Sequence, residues 1–91
     1  MEIDDVNAVA VLGAGSMGHG IAEGAALAGY EVALRDIDAD LVEDGYESIE
    51  WSLDKLVERD RIERSAADAT LDRIETHVDL EAAVADADVV I

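Results

Sequence analysis

Three glycines and one acid carry the chemistry most readily read from this sequence. Gly13-x-Gly15-x-x-Gly18 stands directly after the apolar run "VAVL", and Asp36 follows 18 residues after Gly18. Glycine costs about 0.5–1 kcal/mol relative to alanine inside a helix or strand, so bare backbone at this density needs a cause. At the mouth of a strand–helix turn the cause is binding. The first glycine permits the tight turn, the second lets a diphosphate lie against the main chain, and the third lets the helix pack closely on the strand. The N–H groups at the helix start and the positive end of its dipole suit an anion. A carboxylate at Asp36 accepts hydrogen bonds from ribose hydroxyls and repels a 2′-phosphate, which predicts NAD over NADP. Arg35, inside the strand, is discounted as a contact for that phosphate.

Other candidates are weaker. His19 follows the third glycine but has no neighbour in sequence to orient it as a base, so it reads as a solvent-facing or packing residue. His77 has no partner pattern. Trp51, adjacent to an apolar stripe, is expected to pack. The absence of cysteine excludes disulfides and thiolate metal sites.

The elements that must position the glycines follow from periodicity. Residues 9–12 read as a buried parallel strand. Residues 16–28 read as a helix with Met17, Ile21, Ala25 and Ala28 at helical spacing, ended by Gly29, and Gly20 and Gly24 extend its small-residue face. Residues 31–36 form a second strand, completing a βαβ unit. A long helix over about 39–60 carries the stripe Val42, Tyr46, Ile49, Leu53 and Leu56. Ser65 is expected to cap a helix running to Ile74 through Ala67 and Leu71. A short strand at 76–78, a brief helix from Asp79 through Val84, and a buried strand in "DADVVI" complete the chain. In a doubly wound sheet that fourth strand lies beside the first. Ending on a central strand points to the front part of a longer protein, with apolar surface exposed where later strands belong.

Composition bounds the rest. The 91 residues hold 23 acidic and six basic side chains, a net charge of −17, and 51% hydrophobic residues. The hydrophobic fraction is too high for a disordered acidic chain. The charge argues against nucleic-acid binding, which needs a cationic surface. No apolar run approaches a membrane span, and the acidic "MEIDD" start is unlike a targeting peptide, so the expected location is the cytoplasm. Acids spread along every helix surface resemble the proteins of salt-accumulating halophilic archaea.

The run "GAGSMGHGIAEGAALAGYEVALRDID", continuing through "SLDKLVERDRI" and "LDRIETHVDLEAAVADADVVI", resembles the N-terminal NAD domain of the 3-hydroxyacyl-CoA dehydrogenases. The resemblance covers nearly all 91 residues. It implies an α/β fold: a partial Rossmann-type doubly wound parallel sheet, with a helical hairpin inserted after the second strand and residues 1–91 forming its N-terminal part. It implies hydride transfer between NAD and the C3 carbinol of a 3-hydroxyacyl-CoA. Gly13, Ala14, Gly15, Ser16, Met17 and Gly18 match the family's pyrophosphate loop, and Asp36 its ribose acid. Ser52 and Arg59 fall on positions that contact coenzyme A; arginine stands where the family usually has lysine, and Lys55 is near enough to substitute. The catalytic histidine and glutamate are expected beyond Ile91, in a helical domain that makes the homodimer, so no residue here is catalytic. The alternatives are an NAD-sensing regulatory module, which would not explain the helical insertion, a non-catalytic relative, or another β-hydroxyacid dehydrogenase.

Overall fold

The computed structural model describes residues 6–91, apart from the side chains of Ser16 and Met17. Strand β1 (Ala8–Leu12) leads into helix α1 (Ser16–Leu27) and strand β2 (Glu31–Arg35). The hairpin of α2 (Ala39–Glu58) and α3 (Arg64–Asp72) follows, then β3 (Ile74–His77), α4 (Leu80–Val84) and β4 (Val89–Val90). The strands form one parallel sheet in the order β3-β2-β1-β4. Direction of travel therefore reverses at β1, and the crevice beside its C-terminal end is where an open sheet of this kind binds ligands.

Burial explains the order. Val9, Ala10 and Val11 are 7%, 0% and 2% exposed, because β1 is paired on both edges and covered on both faces. Asp88 fixes β4 against it: its Oδ2 accepts from the amides of Asn7 and Ala8 at 2.8 and 3.0 Å. Those two bonds hold the Asp88 carboxyl below the ordinary carboxylate range. Beyond them β4 is an edge strand, with Val90 and Ile91 exposed.

Several local expectations are corrected. The buried stripe of α1 is one residue out of phase: Ala22 and Ala26 are fully buried, while Ile21 and Ala28 are exposed. The helix turns its smallest side chains to the sheet and leaves larger ones on the flank, which allows close approach. Gly20 and Gly24 are exposed, with open space where a Cβ would stand, so they do not serve that approach. Ser65 is not a cap; α3 starts at Arg64 behind Glu63 without a side-chain capping bond. Ile74 leaves α3 to begin β3, two residues earlier than expected, because its buried side chain pairs in register with Val32. Trp51 does not pack; it is 65% exposed, with the Lys55 ammonium 5.4 Å from its ring centroid.

The other elements match their sequence signals. Gly29 has φ of +102° just past α1. Asp38 caps α2 by accepting from the Asp40 amide at 2.8 Å, and Asp79 caps α4 by accepting from Glu81 at 3.1 Å. Val42, Ile49 and Leu53 are buried in α2, with Tyr46 and Leu56 partly so. Burial, reinforced by the charges of Glu50 and Asp72, raises the Tyr46 phenol above its ordinary range.

Candidate functional site

The turn between β1 and α1 is held from one side by β2. Gly13 has φ of +112°, a left-handed conformation open to glycine, and its amide donates to the Arg35 carbonyl at 2.6 Å. Gly18 sits one turn into α1, where an added Cβ would collide with the Gly13 carbonyl. These two glycines are required by the fold itself.

Gly15 is different. It is the N-cap of α1, with φ −65° and ψ −170°, and nothing lies within 4 Å of where its Cβ would point. Any L-residue could adopt that backbone. The fold itself therefore places no demand for glycine at this position. Among the described residues no side chain caps α1 and no acid stands in its first turn, as is also true of α3, whereas α2 and α4 carry aspartate caps. The amides at the start of α1 therefore have no side-chain acceptor among the described residues. Ser16 and Met17 begin this helix; their side chains lie outside the described residues.

Asp36 lies just past β2 and faces the same turn. Its Oδ2 accepts from the Ala14 amide at 2.9 Å and its Oδ1 from Ile37 at 2.7 Å. The Ala14 bond, then the Ile37 bond, hold its carboxyl below the ordinary range, with Arg35 adding a smaller pull. Each oxygen has lone-pair capacity beyond the one amide it accepts, enough for a vicinal diol. Asp36 does not cap α2; Asp38 does.

The hairpin closes the site. Gly45, buried in α2, packs on the turn so tightly that an added Cβ would stand 2.8 Å from the Ala14 carbonyl oxygen and 2.9 Å from its Cβ. Between α2 and the turn is a cleft of about 330 Å³, walled by Gly15, His19, Asp36, Leu41, Asp44 and Ser48. His19 is half-buried in this wall, a placement its sequence context did not signal. Gly45 was missed as well, although a glycine bordering the apolar stripe at Val42 and Ile49 is the visible sign of a close crossing. A wider depression of about 520 Å³, against Tyr46 and β3, lies away from the glycines. His77 lies there on β3, its Nε2 3.4 Å from Glu75. Arg35 donates from Nε to the Val78 carbonyl at 2.9 Å, anchoring the end of β3.

Farther along α2, Ser52 donates its hydroxyl to Glu23 of α1 at 2.9 Å. Arg59 is the exposed C-cap of α2. Ser52 and Arg59 lie two turns apart on one edge of the helix, with Lys55 between them. Four of the six basic residues, Lys55, Arg59, Arg61 and Arg64, gather at this end. Lys55 pairs with Glu58 at 3.2 Å and Arg64 with Asp54 at 2.8 Å. Among the described residues no group of three or more His, Cys, Asp and Glu could hold a metal, and no helix is long and apolar enough to cross a membrane.

Residues 8–91 match the family described as "3-hydroxyacyl-CoA dehydrogenase, NAD binding domain". The chain is 40% identical over 86 residues to a 3-hydroxybutyryl-CoA dehydrogenase of Bradyrhizobium diazoefficiens, covering 94% of this chain and 29% of that protein. It is 39% identical over 87 residues to a 3-hydroxyadipyl-CoA dehydrogenase of Escherichia coli, covering 96% of this chain and 18% of that one. A crystal structure of 3-hydroxybutyryl-CoA dehydrogenase from Escherichia coli superposes with a TM-score of 0.90 at 38% identity, over 94% of this chain and 18% of that chain. The (S)-3-hydroxybutyryl-CoA dehydrogenase of Ralstonia eutropha gives 0.91 at 29% identity, over 94% and 30%. The chain thus spans less than a third of the length of these relatives.

Proposed function

This chain belongs to the family of 3-hydroxyacyl-CoA dehydrogenase NAD-binding domains, and on that premise we propose that it holds the dinucleotide for an oxidoreductase converting 3-hydroxyacyl-CoA to 3-oxoacyl-CoA in fatty acid metabolism. The observation that carries the reading is Gly15: its backbone conformation and surroundings would accept any residue, yet it is bare where α1 opens without a side-chain cap.

When bound, NAD supplies the acceptor for the hydride leaving C3. The chain's own part is positional. In the loop Gly13, Ala14, Gly15, Ser16, Met17 and Gly18, the amides that open α1 receive the diphosphate, while those of Gly13 and Ala14 hold the turn to Arg35 and Asp36. Asp36, ionised well below neutral pH, accepts from the ribose hydroxyls and repels a 2′-phosphate. Ser52 and Arg59 contact coenzyme A, supported by the gathering of cations at that end of an otherwise anionic chain. Ser52 must then exchange or share its bond to Glu23. The hydroxyl proton is taken by a base outside these residues. The fragment alone binds NAD and turns nothing over; residues 1–91 are the front of the nucleotide domain of a cytoplasmic homodimer whose catalytic and dimer-forming part is helical. The acid-rich composition fits a salt-rich cell interior.

Calorimetry of the 91-residue chain with NAD tests the nucleotide reading. Gly15→Val should leave the thermal midpoint in place and abolish binding. Unchanged affinity in that variant overturns the loop assignment. Oxidation of 3-hydroxybutyryl-CoA by the full-length protein, followed as NADH formation, tests the substrate; turnover of a free 3-hydroxyacid instead would favour another β-hydroxyacid dehydrogenase.

A further inference from the structure

We propose that His19 is a second anion-binding element of the cleft, meeting the dinucleotide's diphosphate with its side chain as the α1 amides meet it with the main chain. The inference rests on the nucleotide reading above and goes beyond it, since the loop amides and the ribose acid do not involve this side chain.

The charges around the cleft carry it. The titratable groups in the cleft wall are Asp36 at the end of β2, Asp44 on α2 and His19 on α1. One turn along α1, Glu23 adds another carboxylate, fixed by Ser52. The chain as a whole carries −17. A diphosphate entering between two carboxylates meets repulsion that neutral amides offset only in part. Among the described residues walling the cleft, His19 alone has a side chain that can carry positive charge, and neutral imidazole still offers one N–H donor. It stands one turn into the helix from Gly15; its own amide donates to the Gly15 carbonyl at 3.1 Å. The side chain is half-buried in that wall rather than free in solvent. Its place puts it next to the opening over Gly15, on the side facing α2.

The test compares ADP-ribose with adenosine as calorimetric probes, at one fixed ionic strength, on the parent chain and on His19→Glu, His19→Gln and His19→Arg. Adenosine keeps the ribose diol for Asp36 and lacks phosphate. His19→Glu should weaken ADP-ribose about tenfold or more and leave adenosine unchanged. His19→Gln should give an intermediate loss, and His19→Arg should retain or improve ADP-ribose binding. Equal ADP-ribose affinity across the series overturns the proposal, as does a loss that falls equally on adenosine, which would mark a structural role. If His19→Glu fails to fold, Gln against Arg decides by the same criterion. Failure of the parent to bind either probe overturns the nucleotide reading and this inference with it; binding that ignores residue 19 overturns this inference alone.

Discussion

Gly45→Ala should destabilise the chain, although alanine is the better helix former. In an unobstructed helix interior the exchange gains about 0.5–1 kcal/mol. At Gly45 the new Cβ would stand 2.8 Å from the Ala14 carbonyl oxygen and 2.9 Å from the Ala14 Cβ, against the roughly 3.5–4.0 Å at which carbon atoms attract. Ala14 has little room to retreat. Its amide is bonded to Asp36, and the preceding amide, Gly13, to the Arg35 carbonyl. The conflict is therefore an overpacking, which typically costs about 1–3 kcal/mol. The net loss is about 0–2.5 kcal/mol, a fall in Tm of up to roughly 20 °C for a domain of this size. Gly24→Ala is the control: its Cβ meets open space, so the propensity gain stands alone and Tm should rise by roughly 2–8 °C. Thermal unfolding followed by circular dichroism reads both. A Gly45→Ala variant that melts above the parent, as Gly24→Ala should, refutes the claim that α2 stands on the glycine turn. The same variant should bind NAD more weakly than Gly24→Ala, because the displaced residue belongs to the loop.

Three further outcomes follow from the same geometry. Asp36→Ala should shrink the preference for NAD over NADP in calorimetry; a variant that discriminates as sharply as the parent would show that the carboxylate does not read the ribose. Asp88, held below its ordinary pKa by the Asn7 and Ala8 amides, contributes stability that is present above the unfolded carboxyl value of about 3.9 and lost as pH falls through its lower folded value. Urea midpoints from pH 6 down to pH 2.5 should accordingly drop more for the parent than for Asp88→Ala, and parallel profiles would contradict the clamp on β4. Raising KCl from 0.1 to 1 M shortens the screening length from about 10 to 3 Å, so a chain of net charge −17 should melt higher in the stronger salt; indifference to KCl would argue against self-repulsion as its weakness.

Much of the fold was legible because its determinants are local. Gly13 and Gly29 announce their positive φ values by being glycine after an apolar run. Asp79 announces the start of α4 through the amide it accepts, whereas Asp38, the cap of α2, does not stand out among its acidic neighbours. The stripe of α2 is long enough to fix its face. The α1 stripe was displaced by one because its candidates were nearly all small or apolar. Choosing Ala22 and Ala26 over Ile21 and Ala28 depends on the distance to a sheet, which is a tertiary quantity. Ser65 and Ile74 misled for a related reason. The pull of Ile74 into register with Val32 ends α3 early, and no property of residues 64–74 alone contains that pairing.

The four helical glycines show where local reasoning stops. Gly18, Gly20, Gly24 and Gly45 are chemically identical, and by propensity each weakens its helix equally. Only Gly18 and Gly45 touch the turn, one from within α1 and one from across the hairpin. Their contacts converge on consecutive residues, Gly13 and Ala14. Those same residues are bonded to the end of β2 through Arg35 and Asp36. The turn is thus gripped by α1, α2 and β2 at once, while Gly15 beside it is left untouched. A loop so held presents its amides in one arrangement before any ligand arrives, which lowers the ordering cost of binding. The edge of α2 that rests on the turn at Gly45 continues through Ser48 and Ser52 to Arg59. On the proposed function, one helix then sets the spacing between the dinucleotide and coenzyme A, and a substitution at the turn should be felt at both ends of it.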